Sequence, residues 1–464
     1  VIHLKSFFIT FLVSIIVLIP ACKSVKEATP EPEVKPDEEI TGRLMTDAEL
    51  VNREDPNAAS VNQEWVNWIK DNVIPLRSLT HTDFSDLQFL KALLAGRSIV
   101  QLGESGHGVR EFNKIKVRLI KFLHQEMDFN VIAFESCIFN CFYANKYHNS
   151  NGVNLIRHSI YSVWETQEVL ELFNYISEKQ DSANPLILAG FDMKPSDYST
   201  TKKRPEFLRT IINTIDSAYA DEVYDYDTNI VENVTLPDED ARAAFYIANE
   251  AEMKNFYGKL LTFFDENMTA LLNNFPQDHL SVLVARRTLW SFIRNIDFQI
   301  ALNQQKNYEY TLYRDSAMAE NLAFLAEDIY PGKKIIVWAH NFHIRHRQED
   351  INGLMTMGKW VAERFRSNLY TVGLYMYRGK AAWNNRTEYT ITAALANSLE
   401  AIGYQARLKF FFLDMLNQIQ VPGNSWMFTE TNSKSWGSTD QKSVIRDQYD
   451  AIIFIDTVNA PDYL

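Results

Sequence analysis

Short apolar runs alternate with long helical patterns from residue 98 to the C-terminus. The runs are Ser98–Leu102, Val131–Phe134, Leu186–Ala189, Ile335–Ala339, Tyr370–Tyr375, Lys409–Leu413 and Ala451–Ile455. Near-continuous apolar runs of this length suit strands buried on both faces. They predict an α/β fold with a largely parallel β-sheet flanked by helices. After the first run, Phe112, Ile115, Leu119, Phe122 and Leu123 recur at helical spacing, while Glu111, Lys114 and Arg118 lie off that stripe. Strand, helix and strand within about forty residues predict a right-handed βαβ unit.

Between about residues 200 and 330 the rhythm stops. Ala241–Asn273 and His279–Asn303 read as long helices rich in Phe, Leu and Ile, and the acidic stretch Asp221–Asp240 reads as a loop. The pattern predicts a helical subdomain inserted in the α/β frame, contributing one wall of a cleft. No period indicates a solenoid or a propeller.

The first sixty residues follow a different pattern. Lys5 precedes an apolar run from Phe7 to Ile19, too short to span a bilayer comfortably and shaped like a secretory signal. The run closes on Ile19-Pro20-Ala21-Cys22, which resembles a bacterial lipobox, although Pro20 departs from its commonest form. The expectation is a signal peptide over 1–21, lipid on Cys22 and a globular domain over 61–464, held outside the cytoplasm at the cell envelope. An ordinary signal peptide or anchor with an incidental cysteine is the alternative. Half of residues 23–40 are charged and Pro30, Pro32 and Pro36 keep the segment extended, so 22–60 reads as a disordered tether. Trp65, Trp68 and Ile69 then share a helical face, which places the start of the fold near residue 60.

Composition narrows the function classes. The 464 residues carry 46 Lys+Arg against 59 Asp+Glu, a formal net charge of −13, which argues against a nucleic-acid partner. At 46% hydrophobic, the chain is too apolar for disorder overall. Three cysteines exclude a disulfide-stapled scaffold and a four-cysteine zinc site. Cys137 and Cys141 read as small buried residues.

Chemistry collects just past four of the apolar runs. The first leads into Gly103-Glu104-Ser105-Gly106-His107-Gly108, the second into Glu135, the third into Gly190-Phe191-Asp192 and the fourth into His340-Asn341-Phe342-His343. In open α/β sheets, ligands bind in the crevice outside the carboxyl ends of the strands. The glycine-rich turn lacks the order of a phosphate loop. Glu104 and His107 instead supply a carboxylate and an imidazole three residues apart, the elements of a general base; a loop histidine beside a helix-capping acid is the plainer reading. Glu104, His107, His340 and His343, with His346 nearby, could hold a divalent metal such as Zn²⁺, but His-x-x-His lacks the helical i, i+4 spacing of the zincins. The histidines could equally donate hydrogen bonds to a substrate oxygen or a developing oxyanion. Glu135 calls for a partner, a histidine being the obvious one, and Asp192 either shares that need or opens a turn. No Gly-x-Ser-x-Gly elbow is present, which leaves Ser105 as the one serine placed for chemistry.

These residues resemble the erythromycin esterase family. Leu102-Gly103-Glu104-Ser105-Gly106-His107 and Glu111-Phe112 match its opening motif, followed in order by Ala133-Phe134-Glu135 and Gly190-Phe191-Asp192. Asp315-Ser316-Ala317-Met318-Ala319, Ala339-His340-Asn341-Phe342-His343, Met357-Gly358 and the strand Val372–Tyr377 with Gly379 complete the match. The resemblance implies a hydrolase with a deep cleft in which His107, supported by Glu104 and Glu135, activates water against an ester or macrolactone. It implies that His340 and His343 bind substrate or stabilise the tetrahedral intermediate, and that Glu111, Lys116, Arg118, Asp192 and Asp315 bind substrate. It implies no uniform metal or other cofactor. Where the family usually carries an arginine on the first helix, this chain has Lys116, which keeps the charge but loses the bidentate fork. A small ester or lactone, macrolide or not, is the expected partner, with antibiotic resistance one consequence. A metal-dependent hydrolase of an envelope or environmental ester and a non-catalytic ligand-binding lipoprotein are the competing readings.

Overall fold

The computed structural model describes residues 54–347 and 354–464. The signal, Cys22 and most of the tether expected from sequence lie outside these residues.

Eleven strands are formed among them: β1 (Ile74–Pro75), β2 (Ile99–Leu102), β3 (Phe129–Cys137), β4 (Ile187–Asp192), β5 (Lys334–Trp338), β6 (Leu369–Ala382), β7 (Glu388–Thr390), β8 (Phe410–Asp414), β9 (Glu430–Ser435), β10 (Thr439–Val444) and β11 (Ala451–Val458). Nine form one sheet in the order β1-β8-β11-β6-β2-β5-β3-β4, with β7 appended to β6. From β11 through β4 the pairing is parallel throughout. The Lys409–Leu413 run becomes β8, which pairs antiparallel with β11, so the sheet is parallel in its centre and mixed at one edge. All seven apolar runs are strands of this sheet.

Alternation along the strands builds a three-layer core. In β5, Ile336 and Trp338 join one hydrophobic cluster while Ile335 and Val337 join the other. The first layer is closed by α1 (Arg110–Met127), through Phe112, Ile115 and Phe122, and by α2 (Gln167–Lys179), through Leu172 and Phe173. The second is closed by α3 (Asn307–Phe324), through Met318 and Leu322, and by Val361 of α4 (Met357–Phe365).

A helical bundle lies between β4 and β5 in the chain. It includes helices Arg204–Ile212, Ser217–Val234, Glu239–Asn274 and His279–Asn303, around a core that contains Leu208, Val223, Tyr257, Phe264 and Phe292. Cys137, the last residue of β3, and Phe139, just past it, belong to that core, so the bundle docks beside the carboxyl end of the sheet. One expectation is corrected here. Asp221–Asp240 is mostly helix, because Ala220, Val223, Ile230, Val231 and Val234 recur at helical spacing and are buried beneath the acidic face. Its buried Asp227 accepts a 2.7 Å bond from Arg204.

Candidate active site

Strands β2, β5, β3 and β4 are parallel neighbours, so the segments that follow them emerge at one edge. The turn after β2 crosses under the segment after β5. A Cβ on Gly103 would stand 2.0 Å from Asn341 Oδ1, so only glycine permits the crossing. Asn341 extends the sheet beyond β2: its Nδ2 donates to Leu374 O at 2.9 Å and its Oδ1 accepts from Leu374 N at 3.2 Å. The backbone N–H of Asn341 donates to Glu104 O at 2.8 Å, tying the two motifs together.

Glu104 is fully buried and accepts from three donors. His107 Nδ1 lies 2.6 Å and Trp164 Nε1 2.9 Å from Oε1, and Lys116 Nζ lies 2.6 Å from Oε2. The acceptor fixes His107 with its proton on Nδ1, which leaves Nε2 as a lone-pair site. No described residue hydrogen-bonds that Nε2. The His107 ring packs edge-on against Trp164, His340 and Trp436, with centroids 4.9, 5.0 and 5.1 Å away.

His340 is set in the complementary state. Its Nδ1 accepts from Phe342 N at 3.1 Å, so the proton is on Nε2. That Nε2–H is buried without a partner in hydrogen-bond geometry, beside the Ser105 carbonyl. Burial, followed by the neighbouring His107, holds this imidazole well below the usual histidine range, so it is neutral at pH 7. The Ser105 hydroxyl is likewise buried and unpartnered.

A second network adjoins the first through Glu135. Its Oε2 accepts from His340 N at 2.9 Å and its Oε1 from Arg314 Nη2 at 2.7 Å, with His343 Nε2 3.4 Å away. Burial alone would raise this carboxyl, but His343, Arg314 and His107 together hold it well below the usual carboxylate range. Arg314 also donates to Asp192 Oδ2 from Nε at 3.1 Å and Nη2 at 2.7 Å, and from Nη1 to His343 Nε2 at 3.0 Å. His343 Nδ1 in turn donates to the buried Asp315, 2.9 Å away. Glu104, Lys116, Asp192 and Asp315 have fully buried side chains, whereas those of His107, His343 and Arg314 retain 11%, 11% and 16% exposure. The cluster therefore meets solvent through two imidazoles and a guanidinium.

Eight of the expected residues are thus brought together: Glu104, His107, Lys116, Glu135, Asp192, Asp315, His340 and His343. Lys116 acts inside the protein, against Glu104 and over the Trp338 ring at 3.8 Å, and has no access to the cleft. Two expected substrate ligands are elsewhere. Glu111 accepts from Asn459 N at 2.7 Å and Nδ2 at 3.0 Å, and Arg118 is spent on Asp86 and the carbonyls of Ser78, His81 and Asp83. His346 bonds Thr371 Oγ1 at 2.8 Å, away from the other histidines. Cys137 and Cys141 are buried free thiols. Among the described residues, no three His, Cys, Asp or Glu side chains are grouped as ligands of one metal ion. Sequence reasoning missed Arg314, Trp164 and Trp436. Arg314 directly precedes the recognised Asp315 on α3, a signal that could have found it, whereas the two tryptophans carry none.

A model of the Erythromycin esterase family matches residues 124–458. The chain belongs to the erythromycin esterase family. It is 31% identical over 422 residues to the putative hydrolase YbfO of Bacillus subtilis (strain 168), covering 86% of this chain and 92% of that protein. It is 25% identical over 312 residues to erythromycin esterase type I of Escherichia coli, covering 61% of this chain and 71% of that enzyme. Among solved structures, a Bacillus cereus protein shares the fold with a TM-score of 0.74 at 18% identity, covering 87% of this chain and 99% of that one. A mutant of erythromycin esterase EreC in its open conformation gives 0.64 at 20% identity, covering 82% of this chain and 96% of that one. Family membership makes the chain a hydrolase; the bond it cleaves is a further step.

Proposed function

We propose that this protein hydrolyses a carboxylic ester or lactone with water activated by His107. The observation that carries the reading is the 2.6 Å Glu104–His107 pair with its Nε2 lone pair unengaged. Nε2 takes a proton from water as the oxygen attacks the acyl carbon. The carbonyl oxygen becomes an oxyanion, for which the unpartnered His340 Nε2–H is a donor in waiting. Collapse breaks the acyl C–O bond, and the His107 imidazolium returns the proton to the leaving alkoxide, giving an alcohol and a carboxylic acid that then loses its proton to solvent. Arg314 and His343, the other exposed polar groups, are placed to meet the substrate.

His343 also pairs with a carboxylate, but its Nε2 already accepts from Arg314, so it has no lone pair for water. Macrolides are one candidate substrate class within this proposal, and lipid anchoring through Cys22 is its location. The test is a hydrolysis screen of macrolides and simple esters on the full chain, with and without chelator, beside His107→Ala. The variant should lose about 10²- to 10⁴-fold in kcat while keeping its circular dichroism. Full activity in the folded variant would overturn the mechanism.

A further inference from the structure

A cavity of about 350 Å³ opens between the helical bundle and the segment after β4, with Tyr161, Lys194, Phe298 and Asn303 on its walls. Tyr161 joins it to the catalytic cluster, because its hydroxyl donates to Asp192 Oδ2 at 3.0 Å, and Asp192 holds Arg314. Two polar groups on these walls are unemployed. Lys194 Nζ lies over the Tyr161 ring at 5.7 Å and the Phe298 ring at 5.3 Å, and makes no hydrogen bond or ion pair with a described residue. Asn303 Nδ2 is buried and has no partner.

Asp192 and Glu135 act on Lys194 through space, but no carboxylate on the cavity walls bonds its ammonium. Arg242, on another wall, is matched by Glu239 at 3.4 Å and by the Pro237 carbonyl at 3.1 Å. Asp192, a carboxylate acting on Lys194, is engaged by Arg314 through two N–H bonds. Burial lowers the Lys194 ammonium to about 8, which leaves it mostly charged at neutral pH. A cation over two aromatic rings and a free amide N–H form a donor set for an anion. One ammonium and one amide match a singly charged, two-oxygen carboxylate better than a doubly charged phosphate.

We infer that this cavity receives a carboxylate of the substrate, remote from the scissile bond, on Lys194 Nζ and Asn303 Nδ2, with the adjoining carbon chain against Phe298 and Tyr161. The inference deepens the hydrolase reading above and rests on it. A substrate bearing an ammonium at that position would meet Lys194 with like charge and be disfavoured.

The test pairs p-nitrophenyl monoesters of dicarboxylic acids, over a range of chain lengths, with their ω-methyl esters. Suberate serves as a probe whose binding is measured by calorimetry without turnover. At the best length, KM for the ω-carboxylate ester should be about tenfold below that of its neutral partner. Lys194→Met should close the gap and weaken suberate about tenfold, Lys194→Arg should retain part of both, and Asn303→Leu should weaken suberate if Lys194→Met does not fold. Equal KM in the two series, with suberate binding absent or indifferent to both substitutions, would overturn the inference. So would an equal fall of kcat in both series with suberate binding unchanged, because Lys194 would then merely balance Asp192 and Glu135. If neither series is cleaved, the hydrolase reading fails, and suberate binding still decides the subsite.

Discussion

Lys116 Nζ lies 2.6 Å from Glu104 Oε2, with both side chains fully buried. A buried charge pair returns little net stability over an apolar pair, but removing one partner strands the other. Glu104 is the carboxylate that orients His107, so Lys116 is a positioning residue. Lys116→Met should destabilise the protein by about 3–5 kcal/mol and lower kcat more than it raises KM. Chemical denaturation and steady-state kinetics on one preparation check both.

The same lysine gives a pH dependence of defined sign. Burial lowers it from 10.5 to about 8. Between those values the unfolded chain holds a proton that the folded chain has released, so this group favours folding increasingly as pH rises through the window. The stability advantage of wild type over Lys116→Met should therefore grow between about pH 8 and 10. Urea unfolding at both ends measures it; a flat difference would show that the lysine keeps its proton.

His340 supplies a cleaner test of oxyanion stabilisation. The ring is neutral and its Nδ1 is occupied, so the buried Nε2–H is the one donor it could offer an oxyanion. His340→Leu should lower kcat by about 10²- to 10³-fold with little change in KM, and His340→Gln, which keeps an N–H, should lose less. Because His340 is already neutral, its substitution should leave the acid limb of the pH–rate profile in place. A shifted acid limb would make His340 the base instead of the donor.

Trp436 roofs His107 and His340 from a turn between β9 and β10. Its ring stacks on His340 with centroids 5.4 Å apart, and its backbone is left-handed, φ +57°, followed by Gly437 at +60°. A non-glycine residue there is strained by about 1 kcal/mol. Trp436→Gly and Trp436→Ala both remove the roof, but only the first removes the strain. The two should lose similar kcat/KM, with the glycine variant about 1 kcal/mol the more stable. Thermal melts and kinetics separate the terms.

The sheet was legible because its strands are buried on both faces, so β2, β3 and β5 stand out as apolar runs whatever packs on them. The first four polar handovers were legible for the same reason: Glu104, His107, His340 and His343 follow a recognisable strand, and Glu135 and Asp192 stand at the end of one. What failed was residue function decided by distant partners. Arg118 and Lys116 share a helix and a charge, yet one staples Asp86 and the other enters the core beneath Glu104. Glu111 sits beside motif residues but is claimed by Asn459, almost at the other end of the chain. The helix Ser217–Val234 was obscured because its solvent face is acidic enough to read as loop. The β9–β10 hairpin was obscured because Trp436-Gly437 is not one of the usual turn pairs.

Arg314 ties the two halves of the site together, and its loss should be felt in both stability and acid tolerance. It neutralises Glu135 and Asp192, whose carboxyls are both held below their ordinary values of 4.5 and 3.8 against the opposing effect of burial. A carboxyl depressed in the folded state contributes stability above its unfolded value, and that contribution is lost as pH falls through the folded value. Arg314→Leu leaves two buried carboxylates sharing one edge without the cation that hydrogen-bonds both, which should cost about 3–5 kcal/mol at neutral pH. The carboxyls must then rise, so the acid unfolding transition should move to higher pH. Arg314→Lys keeps one charge but cannot reach Asp192, Glu135 and His343 together, so it should restore part of the stability and little of the activity. Acid titrations followed by circular dichroism measure the first effect and kinetics the second. An unchanged acid transition in Arg314→Leu would mean that His343, 3.4 Å from Glu135, can hold that carboxylate alone.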